Sequence, residues 1–373
     1  MPADRPDHEL SLIVGGKVYG GWLDVEIDVG IEQAARSFQF KATQKWPGLA
    51  THFEIEDGAK IQVAIGKDLV ITGQVDRVEA ERDAGDAHIA IAGRSKTADL
   101  VDCSPDFDEV ELAGLDLAGV ARRACKPFGI EVVAEDTGPT FSVASKHHGE
   151  TCWKLIERMA RQRQILVTDD EQGRLVLTRL GKTRATDKLV HPSDGLKKIS
   201  TVRDMAGRFS DYIVKAQAGG RWAEGGAGDV GAIPAQLAHV TGNFKDPGVT
   251  RYRPKVILSE GAAKKEGAAA RAEWECRRNI GKSRKATATR VWWRQRDGSL
   301  WKPNLIVACE FPQLNLSADL AIGKVQYRKS DQGTTSILEL APPEAYTPEP
   351  AEQAGGTGAG QGWGDVLQNS GAW

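Results

Sequence analysis

Cysteine is scarce and poorly spaced for chemistry. The five residues, Cys103, Cys125, Cys152, Cys276 and Cys309, are an odd number with no CxxC pair among them. That pattern speaks against a disulfide framework and against a zinc site built on paired thiolates. Cys125 and Cys309 fall at apolar positions of periodic segments and read as buried free thiols. No apolar run approaches the roughly 20 residues that a membrane-crossing helix needs, so membrane insertion is not expected. The opening Met1-Pro2-Ala3-Asp4-Arg5-Pro6-Asp7-His8 holds acids and prolines where a secretory signal needs an apolar core, which implies synthesis and folding in a cytoplasm. Net charge is −2 over 373 residues, so the chain as a whole is no polyelectrolyte partner for nucleic acid or membrane.

Catalytic motifs are missing too. There is no GxSxG elbow, no P-loop and no GxGxxG after a strand. Gly225-Gly226-Ala227-Gly228 lacks the lysine and the helix start that phosphate binding requires. The segment His147-His148-Gly149-Glu150-Thr151-Cys152 groups metal-competent side chains, but its spacing fits neither HExxH nor a zinc finger. It reads as a polar loop entering a capped helix. Asp99 and Asp102 lie near Arg94 and Lys96 and read as members of local ion pairs. No catalytic, cofactor-binding or metal-binding residue is assigned, and no cofactor is expected.

What is present is a globular composition, 40% hydrophobic and 27% charged, long enough for several cores. The expected fold is α+β and mainly β: two small antiparallel barrel-like domains, an α/β module and a flexible C-terminal tail. The first barrel is placed at residues 1–97, with the option of borrowing strands from beyond residue 185. Its clearest strand alternates Leu23, Val25, Ile27 and Val29 with Asp24, Glu26 and Asp28, the mark of a sheet covered on one face. Phe38 and Phe40, then Ile61, Val63 and Ile65, repeat the pattern, and Gly15-Gly16 and Gly66-Lys67-Asp68 mark turns. Strands are also read at Leu69–Val78 and Ala87–Ala92. Short strands joined in this way favour closure, which removes exposed edges.

Helical period takes over in the module, residues 98–185. Asp116 caps a helix with the stripe Leu117, Val120, Ala121, Ala124 and Phe128, and Thr151 caps another with Cys152, Ile156, Met159 and Ala160. The second barrel is placed at 186–345, with strand signals from Phe209 and one helix at 262–280 whose stripe is Ala269, Ala272, Cys276 and Ile280. Gly219–Gly231 reads as a mobile surface loop, and 346–373 as a flexible Gly/Pro-rich tail carrying Trp363 and Trp373, incidental or a short docking peptide. From Glu260 to Arg296 there are eleven Lys or Arg against four Glu, with Trp274, Trp292 and Trp293 interleaved. Either a solvated helix face or a surface for nucleic-acid phosphates fits such a run.

Three segments carry a family resemblance: Gly93–Cys103 (GRSKTADLVDC), Val249–Pro254 (VTRYRP) and Asp297–Leu305 (DGSLWKPNL), joined by the closing hairpin Asp331–Thr335 through Leu340–Tyr346. In that order, over residues 9–346, the chain resembles the baseplate hub protein of Mu-like contractile-tailed phages, the P-type tail protein family. The resemblance implies a structural, non-enzymatic protein: a homotrimer in the virion tail baseplate, assembled in the bacterial host cytoplasm. Its implied partners are the tail tube protein above, a trimeric central spike below and other baseplate proteins, with nonspecific DNA contact in the channel. Each chain would carry two barrel-like domains, so the trimer would adapt a six-fold tube to a three-fold spike. The alternatives are a tail-associated cell-wall hydrolase, which lacks an acid–base constellation, and a glycan-binding tail module suggested by the ten tryptophans.

Overall fold

The computed structural model describes residues 8–43, 55–82, 87–108, 110–141, 144–181, 183–191, 195–217, 239–262 and 265–347. The Gly219–Gly231 loop and the tail with Trp363 and Trp373 lie outside them. The chain divides into two compact units, the first formed by 1–201 and 286–341 and the second by 202–285 and the segment after 342.

Two strand sets build the first unit. The N-terminal set is β1 (Leu10–Val14), β2 (Lys17–Tyr19), β3 (Asp24–Gly30), β4 (Ser37–Thr43), β5 (Lys60–Ile65), β6 (Asp68–Arg82) and β7 (Ala87–Ser95). Between the sets stand α1 (Ala98–Asp102), α2 (Leu117–Cys125), β8 (Val132–Ala134), α3 (Cys152–Arg161), β9 (Leu166–Asp169) and β10 (Leu175–Thr178). After β11 (Thr183–Arg184) and β12 (Leu189–Val190) comes β13 (Leu196–Arg203). Then, beyond the second unit's segment, follow β17 (Arg284–Val291), β18 (Leu305–Phe311), β19 (Leu316–Ser330) and β20 (Gly333–Ala341).

The two strand regions join in one 14-stranded hydrogen-bonded sheet, in the order β13-β17-β20-β19-β3-β4-β7-β6-β5-β1-β2, with β18 on β19 and with β11 and β12 on β18. The junction is the antiparallel pair β3–β19, Lys324 opposite Gly30 through Lys329 opposite Val25. One apolar core runs beneath both regions, from Leu12, Ile27, Phe40 and Ile91 to Trp293, Trp301, Val325 and Leu338. Alternation holds from Asp24 onward, with Val25, Ile27 and Val29 buried and Asp24, Glu26 and Asp28 exposed or half-exposed, but Leu23 lies before the strand and is 51% exposed instead of joining the apolar face.

The α/β module has its own core, Leu117, Val120, Ala121, Leu155, Ile156 and Met159 among others, under a sheet ordered β8-β10-β9. Asp116 accepts a hydrogen bond from the Gly119 N–H at 2.7 Å, and Thr151 Oγ1 accepts one from the Lys154 N–H at 3.3 Å, so both helix starts are capped as the sequence implies. Phe128 falls in a 3₁₀ turn after α2, and Gly129, at φ +62°, closes it.

The second unit holds β14 (Asp211–Gln217), β15 (His239–Lys245), β16 (Pro254–Ala262) and α4 (Lys265–Lys282). The sheet order is β15-β14-β16, and Ala268, Ala272 and Cys276 of α4 pack on Tyr212 and Val214. The helix therefore belongs to this unit rather than to a second barrel, and its tightest contact is at Ala268, one residue from the expected Ala269. At Gly242 a Cβ would lie 2.1 Å from the Ala268 carbonyl carbon, so the helix backbone rests directly on β15 and only glycine fits.

Candidate assembly interface

Lining up the two strand sets of the first unit reveals a repeat. Along the chain the first runs β3, β4, β5, β6, β7 and the second β13, β17, β18, β19, β20. In the sheet the first is ordered β3-β4-β7-β6-β5 and the second β13-β17-β20-β19-β18. The closing triplets have 6, 15 and 9 residues in the first set and 7, 15 and 9 in the second. Each 15-residue strand pairs with one neighbour over its first half and another over its second, and each shifts register midway. The shift falls between Val75 and Arg77 in β6 and between Ile322 and Lys324 in β19. Such an extra residue bends a strand and increases its twist, which lets one strand serve both faces of a curved sheet.

Opposite charges face one another along the β3–β19 seam. Lys324 Nζ lies 3.2 Å from the Asp28 carboxylate, and Arg328 lies 3.4 Å from that of Glu26. Gln326 Nε2 donates to Glu26 at 2.7 Å and to Asp28 at 2.8 Å. Beside the seam a groove of about 240 Å³ is lined by Glu26, Asp28, Gln39, Asp76 and Arg94. Asp76 receives Arg94 Nε at 2.7 Å, so like Glu26 and Asp28 it is held as a hydrogen-bond acceptor.

A buried polar latch ties the module to the first strand set. Arg36, just before β4, donates from Nε to Asp169 Oδ1 at 3.2 Å and from Nη2 to the Asp169 carbonyl at 3.0 Å. Its Nη1 donates to the Val70 carbonyl at 2.8 Å. Ser95 Oγ donates to the same carboxylate and lies 2.9 Å from Thr97 Oγ1. Burial pushes the Asp169 carboxyl above its ordinary value, against the pull of Arg36 and Ser95. At Glu171 desolvation works the same way, yet Arg36 and Lys302 hold that carboxyl below its usual range. Nothing local in the sequence marks this latch, because its partners are 133 residues apart.

The residues singled out from sequence are placed as follows. Glu150 accepts the His147 N–H at 2.6 Å and Arg158 Nη2 at 2.8 Å, which makes the histidine loop a scaffold for α3. Among the described residues no three His, Cys, Asp or Glu form a metal-binding group. Arg94 pairs with Asp102 at 2.8 Å, whereas Asp99 instead accepts from Gln74 Nε2 at 3.0 Å. Cys125, Cys152, Cys276 and Cys309 are buried free thiols and Cys103 is exposed. Burial pushes the Cys125, Cys276 and Cys309 thiols up to about 12, far from nucleophilic range.

The basic run is dismantled by the fold. Arg277 pairs with Glu273, Arg290 with Asp187 and Arg294 with Asp68, while Arg271 and Arg278 lie over the Trp274 ring. Arg284 is half-buried and desolvation lowers its affinity for a proton. Five arginines of the run are thus engaged locally. Among the described residues no tryptophan is exposed: Trp22, Trp293 and Trp301 are buried and Trp153, Trp274 and Trp292 half-buried.

Known proteins match this chain over 90–92% of its length. Residues 9–95 match the N-terminal domain of the Mu phage baseplate assembly protein GpP-like family. Residues 97–179 match the second domain of the baseplate hub protein gp44-like family, and 264–349 the fourth domain of the Mu phage baseplate assembly protein GpP. The baseplate hub protein gp44 of Escherichia phage Mu is 32% identical over 343 residues, covering 90% of this chain and 88% of that protein. The 43 kDa tail protein of prophage MuSo2 from Shewanella oneidensis superposes with a TM-score of 0.80 at 32% identity, over 92% of this chain and all of that one. A tail protein from Neisseria meningitidis shares the fold, with a TM-score of 0.72 at 22% identity over 91% of this chain and 98% of that one. The chain belongs to the gp44-like baseplate hub family of Mu-like phages.

Proposed function

We propose that the chain acts as a homotrimeric hub that turns three-fold symmetry into six equivalent positions. The repeated strand order supports this reading most directly: each chain carries the arrangement β3-β4-β7-β6-β5 and again β13-β17-β20-β19-β18. Three chains then offer six like-shaped units, what a six-fold tail tube requires above, while the three-fold axis seats a trimeric central spike below. The role is structural and non-enzymatic, in the tail baseplate of a phage or tail-like particle assembled in the host cytoplasm. DNA passing through such a ring calls for weak, nonspecific contact, and the dispersal of the basic run fits that better than a retentive cationic wall.

The deciding measurement is the mass of the purified protein at micromolar concentration. Three times the 40.3 kDa chain mass is expected, and a stable monomer at low salt overturns the hub reading. A peptidoglycan-release assay tests the cell-wall hydrolase reading, and no release is expected.

A further inference from the structure

We infer that neighbouring copies dock by adding β13 of one chain to the free half of β6 in the next, repeating between chains the β3–β19 seam that each chain makes within itself. This rests on the hub reading and specifies the contact that builds it.

The repeat supplies the first reason. In the second half of β19, Lys324–Lys329 has β20 on one edge and β3 on the other. The matching half of β6, Arg77–Arg82, has β7 on one edge and, among the described residues, no strand on the other. The strand matching β3 is β13, and β13 ends the sheet with β17 as its one strand neighbour among the described residues. Each chain therefore presents the two members of a second seam, unjoined and at different places. An interface of that kind is head-to-tail and generates a ring when it closes.

Burial gives the second reason. Counting from the register shift, Val78 corresponds to Val325 and Ala80 to Tyr327. Val325 and Tyr327 are buried, whereas Val78 is half-buried and Ala80 exposed. On β13, Val202 is 58% exposed. Long unpaired edges are liabilities that soluble proteins blunt or cover. The other end of the sheet is blunted, since β2 has only three residues, but β13 has eight and contains no proline.

Charge is the third reason, and it also selects the occupant. At the closed seam β3 contributes Asp24, Glu26 and Asp28, and β19 contributes Lys324, Arg328 and Lys329. At the open edges β13 carries Lys197, Lys198 and Arg203 with no acid, while Arg77–Arg82 carries Glu79 and Glu81 beside Arg77 and Arg82 and is balanced in charge. Glu79 pairs with Arg77 within the strand. A β13 strand laid on β19 would set lysine against lysine, whereas on β6 it meets Glu79 and Glu81. Complementarity of this sort steers partners and suppresses wrong pairings. The occupant is thus a second copy of this chain, held antiparallel by backbone hydrogen bonds as in strand addition.

The test uses full-length chain in a Cys103→Ser background, which removes the exposed native thiol. Cysteines at Arg77, Glu79 and Glu81 are combined one by one with cysteines at Lys198, Ser200 and Val202, then oxidised mildly. Covalently linked chains are expected from at least one combination, and none when Val18→Cys in β2 replaces the β6 cysteine. Separately, Glu79→Lys with Glu81→Lys is expected to weaken assembly by about tenfold or more, since like charges across an interface suppress pairing. Adding Lys197→Glu and Lys198→Glu to the same chain restores it, which separates lost docking from lost folding. A trimer that survives Glu79→Lys with Glu81→Lys and gives no cross-links overturns the seam and leaves the hub standing. A wild-type monomer overturns both.

Discussion

The two strand sets of the first unit share a strand order but differ in what hangs from them. Between β3 and β4 the chain turns in a few residues, Ile31–Arg36, whereas between β13 and β17 it makes the whole three-stranded sheet and α4. The residue before the second strand differs accordingly. Arg36 reaches into the module and binds Asp169, while Ser283 caps the end of α4, its Oγ donating to the Ile280 carbonyl at 2.6 Å. The flanks differ as well: β5 is bordered by antiparallel β1, and β18 by short parallel β11 and β12. What is retained is the bent 15-residue strand and its two partners. A hub needs that shape twice, and connections and flanks are free to diverge because they lie outside the five repeated strands.

The comparison can be broken first at those two matching positions. Asp169→Ala leaves the Arg36 guanidinium buried without its carboxylate, and removing one partner of a buried ion pair costs about 3–5 kcal/mol. Ser283→Ala removes one neutral hydrogen bond, worth about 1 kcal/mol. Urea unfolding of both variants should show that gap. Equal costs would mean that the latch does not anchor the module.

The shared part is tested next. Ile91 faces Val78 in the first set as Leu338 faces Val325 in the second, and both are fully buried. Ile91→Ala and Leu338→Ala should each cost about 3 kcal/mol, in the range for large-to-small core changes. Unfolding of the two variants should give similar losses. A severe loss at one site and a trivial one at the other would argue against equivalent packing.

How much of this was legible in the sequence depends on where alternation survives. The strand β3 and the last hairpin read plainly, because apolar and polar residues alternate without interruption. In β19 only Lys324–Lys329 is legible, since the register shift at Gly323 flips the alternation and hides Leu316–Ile322. The strand β6 was cut short at Val78 for a similar reason, its second half having no apolar face to show once one edge lies open. The edge strand β13 was missed altogether, because Leu196 and Ile199 pack on the core while Lys197 and Lys198 between them are exposed. The helices were found with their caps, a local signal. The latch and the repeat were not, since one is a contact between distant residues and the other a matter of strand order, which pattern alone does not carry.

The smallest expected effect distinguishes the closed seam from the open one. Glu26 and Arg328 sit at the closed seam with side chains 43% and 47% exposed. Exposed ion pairs contribute about 0–1 kcal/mol, so Glu26→Ala should shift unfolding by less than about 1 kcal/mol. The strands there are held by a common core and a covalent chain, and charge merely refines their register. Between copies there is no such tether, and the charges on β6 and β13 must act during encounter, where salt screens them over about 8 Å at physiological ionic strength. Raising salt should therefore lower the trimer fraction of the wild-type protein while leaving the unfolding of the Glu26→Ala variant nearly unchanged relative to wild type. Sedimentation across a salt series, read beside urea unfolding at the same salts, measures both. A trimer indifferent to salt would mean that apolar contacts such as Val78 and Val202 hold the copies together, with the charges on β6 and β13 left to exclude the wrong strand.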